Sequence, residues 1–366
     1  MVFVRILAFA GGAVTVLLTM RSAVRTFLVP RALQAYLARA VFIATRRIFW
    51  LRANSRHDYA RRDRMMAFYA PVSLLVLLAT WLVLVFAGYA AMVWGLGNAP
   101  LREALTLSGT SLFTLGFERG NGDLPTTLLV FSAAAIGLGL LALLITYLPS
   151  LYNAFSRREA GVSKLEVRTG RPPSGVRLIE LAWIVGRLES LHELWSAWED
   201  WFVDVDESHS SFPPLVFFRS PHPDESWVTA AGSILDGASL FVSSVDVPRE
   251  PEPEFMIRAG YLCLRHIATF FWIPVNDDPA PTDPISVSRE EFDTAFDRLA
   301  AAGVPMRPDR DQAWRDFAGW RVNYDAALLG LARLTMAPAA AWSSDRYADA
   351  NWVPPMFPWL RRRTRT

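Results

Sequence analysis

A run of four residues, Thr114-Leu115-Gly116-Phe117, has the composition of a binding site for a dehydrated cation. A cation that sheds its water needs rings of oxygen atoms at close range, and backbone carbonyl groups can supply them. Gly116 permits the backbone angles that turn carbonyl groups toward an axis, because it has no side chain to hinder them. Thr114 adds a hydroxyl group at the inner end. These residue types indicate ion coordination by the backbone.

Acidic residues follow the run and extend the same chemistry. Glu118 and Asp123 would form an acidic outer mouth, whose screened field concentrates cations and weakens with added salt. The histidines lack the spacing of metal ligands, so the expected metal is the cation that the run itself would bind, and no other. No cofactor is predicted.

A short apolar helix must position the run. Residues 101–113 are mostly apolar and follow Pro100, a residue that opens helices, with Asn98 or Ala99 as the expected cap. The segment is too short to span a bilayer, so it is predicted to be a re-entrant helix. Its non-helical continuation at membrane depth must be buried in protein or line water. The carboxyl end of the helix dipole would favour a cation there.

Three apolar stretches, at residues 3–20, 71–86 and 126–147, are predicted to be transmembrane helices. The third would line the pore, with Gly137 and Gly139 near its middle. These glycines are interpreted either as a gating bend or as positions where transmembrane helices pack closely. The predicted fold is an all-α membrane protein with three transmembrane helices and a re-entrant pore helix, followed by a helical cytoplasmic domain.

Arginine placement predicts the topology. Eleven arginines and two acidic residues lie between residues 21 and 65, whereas residues 97–125 carry two basic and three acidic residues. Basic residues return after residue 156. Positive loops remain cytoplasmic, so the amino terminus is predicted outside and the carboxyl-terminal domain inside the cell membrane. Within the first basic loop, residues 33–50 are predicted to form an amphipathic helix, either on the inner membrane surface or packed on the cytoplasmic domain.

Residues 107–117, flanked by the two later apolar stretches, resemble the pore-loop domain of the potassium-channel superfamily. That family's filter reads Thr-Val/Ile/Leu-Gly-Tyr/Phe-Gly-Asp, and residues 114–117 match its first four positions. Glu118 stands at the fifth position, where the family has the glycine on which its outermost carbonyl ring depends. The resemblance covers residues 66–153, under a third of the chain. It implies a selectivity filter at residues 114–117 and a homotetramer in the lipid bilayer, with potassium or another monovalent cation as the permeating ion.

The second half of the chain has the composition of a soluble, helical domain. Helices are predicted over residues 176–203, 224–245, 254–272, 290–302 and 310–336, and Ser288 with Glu291 predicts a capping box. The tryptophans at 195, 198 and 201 are interpreted as a core or subunit-facing stripe, and His209 as a solvated helix end. No Gly-x-Gly-x-x-Gly fingerprint follows a strand, and no nucleophile–base pair is present, so an enzyme is not expected.

The predicted organisation therefore has five parts. Residues 1–20 form the first transmembrane helix, 21–65 an arginine-rich linker, 66–155 the pore domain, 156–175 a linker and 176–366 the cytoplasmic domain. A net charge of +2 favours no acidic polymer, and no nucleic acid partner is predicted. The leading hypothesis is a cation channel that prefers potassium. The alternative, based on Glu118, is a membrane-anchored interaction or sensor protein that keeps the architecture without conducting.

Overall fold

The computed structural model describes residues 1–27, 36–52, 58–97, 99–118 and 122–346. These residues form helices and turns without a β-strand, apart from an isolated antiparallel bridge between Val245 and Met306, which confirms the all-α class. The helices are α1 (Val2–Phe27), α2 (Tyr36–Arg52), α3 (Tyr59–Ala67), α4 (Tyr69–Gly95), α5 (Leu101–Leu112), α6 (Leu124–Thr169), α7 (Gly175–Ile184), α8 (Leu191–Ser211), α9 (Trp227–Ser244), α10 (Glu252–Phe270), α11 (Arg289–Ala301), α12 (Arg310–Arg321) and α13 (Asp325–Thr335).

Packing divides the chain into two compact units. The first contains residues 1–53 and 68–152, and the second contains residues 54–67 and 153–366. The predicted linker at 156–175 is mostly helical, because α6 continues to Thr169. Val162 and Leu165 on this part of α6 are buried in the core of the second unit, which explains why the helix persists beyond its apolar stretch.

In the part of the chain that the structure describes, three helices are long and apolar enough to cross a membrane, as predicted: α1, the stretch Tyr59–Gly95 that α3 and α4 form, and α6. Helix α1 continues seven residues past the predicted end at Met20. The reason is tertiary, because Ser22 and Ala23 in this extension are buried within the first unit.

Helices α1 and α4 pack in antiparallel directions through small residues. A Cβ added at Gly88 would lie 2.9 Å from the carbonyl oxygen of Gly12, so the two backbones approach closely. Glycine pairs of this kind allow such approaches between helices in a membrane. At the end of the same interface, the Arg5 guanidinium donates a hydrogen bond to the Gly97 carbonyl oxygen at 3.2 Å.

An aromatic cluster joins α1, α4 and α6. The Phe27 ring lies 5.2 Å from the ring of Trp81 and 4.5 Å from the ring of Tyr147, in edge-to-face geometry. Trp81 is fully buried, and its indole N–H donates to the Ser22 hydroxyl at 3.3 Å. Edge-to-face pairs add stability beyond that of buried area, so the cluster fixes α6 relative to α1 and α4.

Helix α2 packs on the first turns of α4. The hydroxyl groups of Thr45 and Ser73 are 2.9 Å apart, and the Tyr69 hydroxyl donates to the Phe42 carbonyl oxygen at 3.0 Å. The predicted amphipathic helix at 33–50 is thus present from Tyr36, while residues 33–35 lie outside the described residues. Its packing on α4 within the first unit was not among the arrangements that the sequence suggested.

Helix α9 is the centre of the second unit and is buried along nearly its whole length. Helices α7, α10, α12 and α13 pack around it, and α8 packs on α10. Trp195, Trp198 and Trp201 on α8 are buried in this core, which is the first of the two arrangements, core or subunit-facing, that the sequence suggested. The capping box at Ser288 and Glu291 is also present at the start of α11.

Two predicted helices are each divided in the structure. The segment 176–203 is broken between α7 and α8, where Gly186 adopts a left-handed conformation with φ +65°. The segment 310–336 is broken between α12 and α13. There the Asn323 amide donates to the carbonyl oxygens of Gly319 and Trp320, which competes with continuation of the helix.

The prediction that His209 ends α8 in solvent is wrong. His209 is 3% exposed, and its Nδ1 lies 2.8 Å from the Val205 carbonyl oxygen. Burial and the neighbouring Arg158 guanidinium lower the pKa of His209 well below its ordinary value. Arg158 is itself fully buried and donates to the carbonyl oxygens of Leu215 and Phe218, at 2.8 Å and 2.7 Å. His209 is therefore a neutral core residue.

Candidate functional site

Helix α5 packs against α4 and is too short to span a bilayer. Its 12 residues correspond to about 18 Å, whereas a spanning helix needs about 20 residues. The Ser108 hydroxyl donates to the Phe86 carbonyl oxygen of α4 at 2.8 Å. Ala104 and Leu107 are buried beside the carboxyl-terminal part of α4. Leu101 begins the helix, and Pro100 is the N-cap residue, whereas the sequence suggested Asn98 or Ala99 for that position.

Gly137 places α6 against the end of α5. A Cβ added at Gly137 would overlap the carbonyl oxygen of Leu112, the last residue of α5. Leu112 is buried, so neither partner has free space to move. Gly137 is therefore a position of close packing, which is one of the two interpretations that the sequence left open.

Gly139 has different surroundings, although it is only two residues further along α6. A Cβ at Gly139 would have no neighbour within 4 Å. Gly139 lines an apolar groove between α1 and α6, together with Met20 and Val24 on α1 and Thr146 on α6. The gating bend at these glycines remains a prediction.

Replacing Gly137 with alanine is expected to destabilise the first unit by about 1–3 kcal/mol, because the added methyl group displaces the backbone of α5. Gly139→Ala is the matched control: its open surroundings and the better helix propensity of alanine predict no loss, or a gain of about 1 kcal/mol. The melting temperatures of both variants in detergent give the comparison. Equal melting temperatures would show that α5 is not seated against Gly137.

The carboxyl end of α5 is closed by a Schellman motif. The Leu115 N–H donates to the Thr110 carbonyl oxygen at 2.8 Å, and the Thr114 N–H donates to the Ser111 carbonyl oxygen at 3.0 Å. The motif places Thr114 in the left-handed region, with φ +56°. Glycine normally takes this position, because a Cβ is disfavoured there. The motif therefore defines the direction in which the chain leaves α5, and Thr114 adopts there a backbone conformation that is unfavourable for a residue with a Cβ.

The run at 114–117 is a non-helical segment whose backbone groups are available. Gly116 also has a positive φ of +70°. Within the described part of the chain, no N–H or O–H group donates to the carbonyl oxygens of these four residues. Leu115 is 54% exposed and Phe117 is 80% exposed. The segment thus presents carbonyl groups and apolar side chains that a single chain leaves uncovered.

The two acidic residues proposed for the outer mouth have different environments. Glu118 is exposed at the end of the run. Asp123 is placed at the start of α6, where its carboxylate accepts a hydrogen bond from the Thr126 N–H at 3.3 Å. Asp123 therefore caps the start of α6, a role that the sequence analysis did not assign to it when it placed Asp123 at the outer mouth. The sequence does carry a signal for it, because an aspartate precedes Leu124-Pro125 and an apolar helix.

The structure thus places the eight predicted site residues in two groups. The run 114–117 continues directly from α5, and Gly137 lies at the base of α5, where it contacts Leu112. Glu118 follows the run directly, whereas Asp123 caps the start of α6 and Gly139 lies within that helix. The described residues contain no group of three or more His, Cys, Asp and Glu side chains that could hold a metal ion. The available chemistry of the site is that of backbone carbonyl groups.

Comparison with known protein families, with curated proteins and with solved structures finds no match to this chain.

Proposed function

We propose that this chain is a subunit of a cation channel that prefers potassium, in which four copies contribute one filter segment each from residues 114–117. The observation that carries the proposal is the exit from α5. Thr114 and Gly116 both have positive φ angles, and the carbonyl oxygens of the run have no donor within the described chain. A segment of this kind can turn its carbonyl groups toward a cation, provided that other copies surround it.

The supporting helices suit this role. Helix α5 is too short to span and ends at the run, so its negative dipole end would face the ion. Exposed apolar side chains at Leu138, Ile145 and Tyr152 follow one another along α6 at helical spacing. In a tetramer this face of α6 would line the inner pore or contact a neighbouring subunit. The proposal also places the chain in the cell membrane, with the amino terminus outside the cell and residues 176–366 in the cytoplasm.

The proposal is tested by cation flux into proteoliposomes that contain the purified chain, with potassium and sodium compared across the range from about pH 5 to pH 8. Potassium flux above that of protein-free vesicles, and above sodium flux, is the expected result. Equal flux of both ions would indicate a non-selective channel. Absence of flux at every pH would contradict the proposal and favour the membrane-anchored interaction or sensor protein, for which Glu118 at the fifth filter position is the motivating observation.

A further inference from the structure

The carboxyl end of α6 carries a buried carboxyl group that the proposed pore does not use. Glu166 is 5% exposed and lies in the last turn of α6. After it, the Gly170 N–H donates to the Glu166 carbonyl oxygen at 2.7 Å, and Gly170 turns the chain with φ +82°. Because of this turn, the Arg171 side chain lies against the last turn of α6.

One arginine lies between two buried carboxyl groups. The Arg171 Nε donates to Glu166 Oε2 at 2.9 Å, and the Arg171 Nη2 forms an ion pair with Glu225. Glu225 is 5% exposed and directly precedes Ser226, the N-cap residue of α9. Within the described residues, the second oxygen of Glu166, Oε1, is buried and receives no hydrogen bond. The cluster therefore joins the end of α6 to the segment before α9, with one positive charge for two acids.

The charges around the cluster favour a bound proton. Burial is the largest of the effects that together raise the pKa of Glu166 to about 7. Glu225 acts in the same direction, by hydrogen bonding to the protonated form and by repulsion, whereas Arg171 opposes the rise. Asp224 adds a negative charge beside Arg171 from the same segment. Asp63 on α3 is a further acidic group near Asp224, but it forms its own ion pair with Arg219. A single arginine thus cannot neutralise Glu166 and Glu225 together.

We propose that Glu166, Arg171 and Glu225 form a proton-dependent latch that fastens the end of α6 to the segment before α9 and releases it when the pH rises. In the fastened state, the protonated carboxyl group of Glu166 donates to the Glu225 carboxylate, and Arg171 neutralises the remaining negative charge. When the Glu166 proton passes to water, two buried carboxylates share one guanidinium group and repel each other. That repulsion loosens the turn at Gly170.

The direction of the pH effect follows from linkage. The folded chain holds the Glu166 proton more tightly than the unfolded chain does, since the folded pKa of about 7 lies above the ordinary value of 4.5. The stabilising contribution of the latch is therefore complete below about pH 4.5, declines as the pH rises and is lost above about pH 7. The latch is fastened in mildly acidic solution and released in mildly alkaline solution.

One consequence rests on the proposed function. Helix α6 is the helix that we propose to line the pore, and it is continuous from Leu124 to Thr169. If the pore conducts, fastening and release of the end of α6 would make cation flux depend on pH. The latch itself does not require conduction, and it can be measured separately.

The test of the latch is hydrogen exchange of the full chain in detergent, followed in the segments around 162–174 and 222–228 after correction for the intrinsic pH dependence of exchange. Raising the pH from 6 to 8 is expected to reduce protection there by about tenfold, the effect of roughly one pKa unit. Glu166→Gln mimics the protonated acid and should stay protected at both pH values. Glu225→Gln removes the repulsion, so its transition should move to lower pH.

Glu290→Gln, at an exposed position on α11, is the matched control and should behave as the wild type. The latch is overturned if the wild type shows no pH-dependent protection, or if Glu166→Gln keeps the wild-type transition. Should Glu166→Gln fail to fold, an unshifted transition in Glu225→Gln would equally reject it. Because exchange is independent of conduction, a functioning latch without any flux would contradict the channel alone. If the latch responds to pH but the cation flux does not, only the proposed control of flux by the latch is contradicted.

Discussion

Replacing Gly116 with alanine is expected to abolish cation flux while leaving the assembled protein folded. Gly116 has φ +70°, a conformation that costs an L-residue about 1–2 kcal/mol. A Cβ at Gly116 has no neighbour within 4 Å in one chain, so the substitution creates no clash in the subunit itself. In a tetramer, four added methyl groups would surround the ion path and turn the carbonyl groups away from it. Flux should fall by more than about tenfold.

Gly186→Ala provides the matched control for this experiment. Gly186 also has a positive φ, +65°, and open surroundings, but it lies between α7 and α8 in the second unit. The two variants therefore carry similar backbone strain and should melt at similar temperatures. Flux measured in parallel should be lost only in Gly116→Ala. Undiminished flux in that variant would remove residues 114–117 from the ion path.

Replacing Arg321 with methionine is expected to cost the second unit about 3–5 kcal/mol, because it leaves a buried charge without its partner. Arg321 is fully buried, forms an ion pair with Asp236 on α9 and a second one with Asp325 at 2.8 Å. Its Nη2 also donates to the Trp342 carbonyl oxygen at 2.6 Å. Burial raises the pKa of Asp236, and Arg321 opposes that rise. The variant should therefore unfold at a much lower denaturant concentration.

The comparison for Arg321 is Arg310→Met, at the opposite end of the same helix, α12. Arg310 pairs with Asp297, whose side chain is 62% exposed. Exposed ion pairs contribute about 0–1 kcal/mol, so this variant should unfold near the wild-type denaturant concentration. Denaturation followed by tryptophan fluorescence measures both. A similar small loss in the two variants would mean that water reaches the Arg321 site.

The first unit illustrates what a sequence can predict about helices that are long and apolar enough to cross a membrane. Three apolar helices and a short helix at residues 101–113 were expected. All four are present in the described residues, and the short one ends at Leu112. Apolar length and helix-starting residues are local properties, so a single stretch of sequence contains them. The capping box at Ser288 and Glu291 was predictable for the same reason, because both of its hydrogen bonds form within four consecutive residues.

Helix boundaries were less predictable where distant residues determine them. Helix α6 continues past its apolar stretch because the second unit buries Val162 and Leu165. His209 looked like a polar helix end, yet it lies in the core beside Arg158, which is 51 residues away in the chain. The sequence does not indicate that the Arg158 guanidinium group is buried, because it donates to backbone carbonyl oxygens, at Leu215 and Phe218, which every residue type has.

By itself, therefore, the sequence determined the helical class, the three apolar helices and the position of the run at 114–117, because hydrophobic length and glycine placement act locally. Only the tertiary structure decided that Gly137 touches Leu112 and that Glu166 shares Arg171 with Glu225, 59 positions further on. The physical reason is that overlap and charge repulsion depend on distances of a few ångströms. Those distances are set by packing between helices that are far apart in the chain.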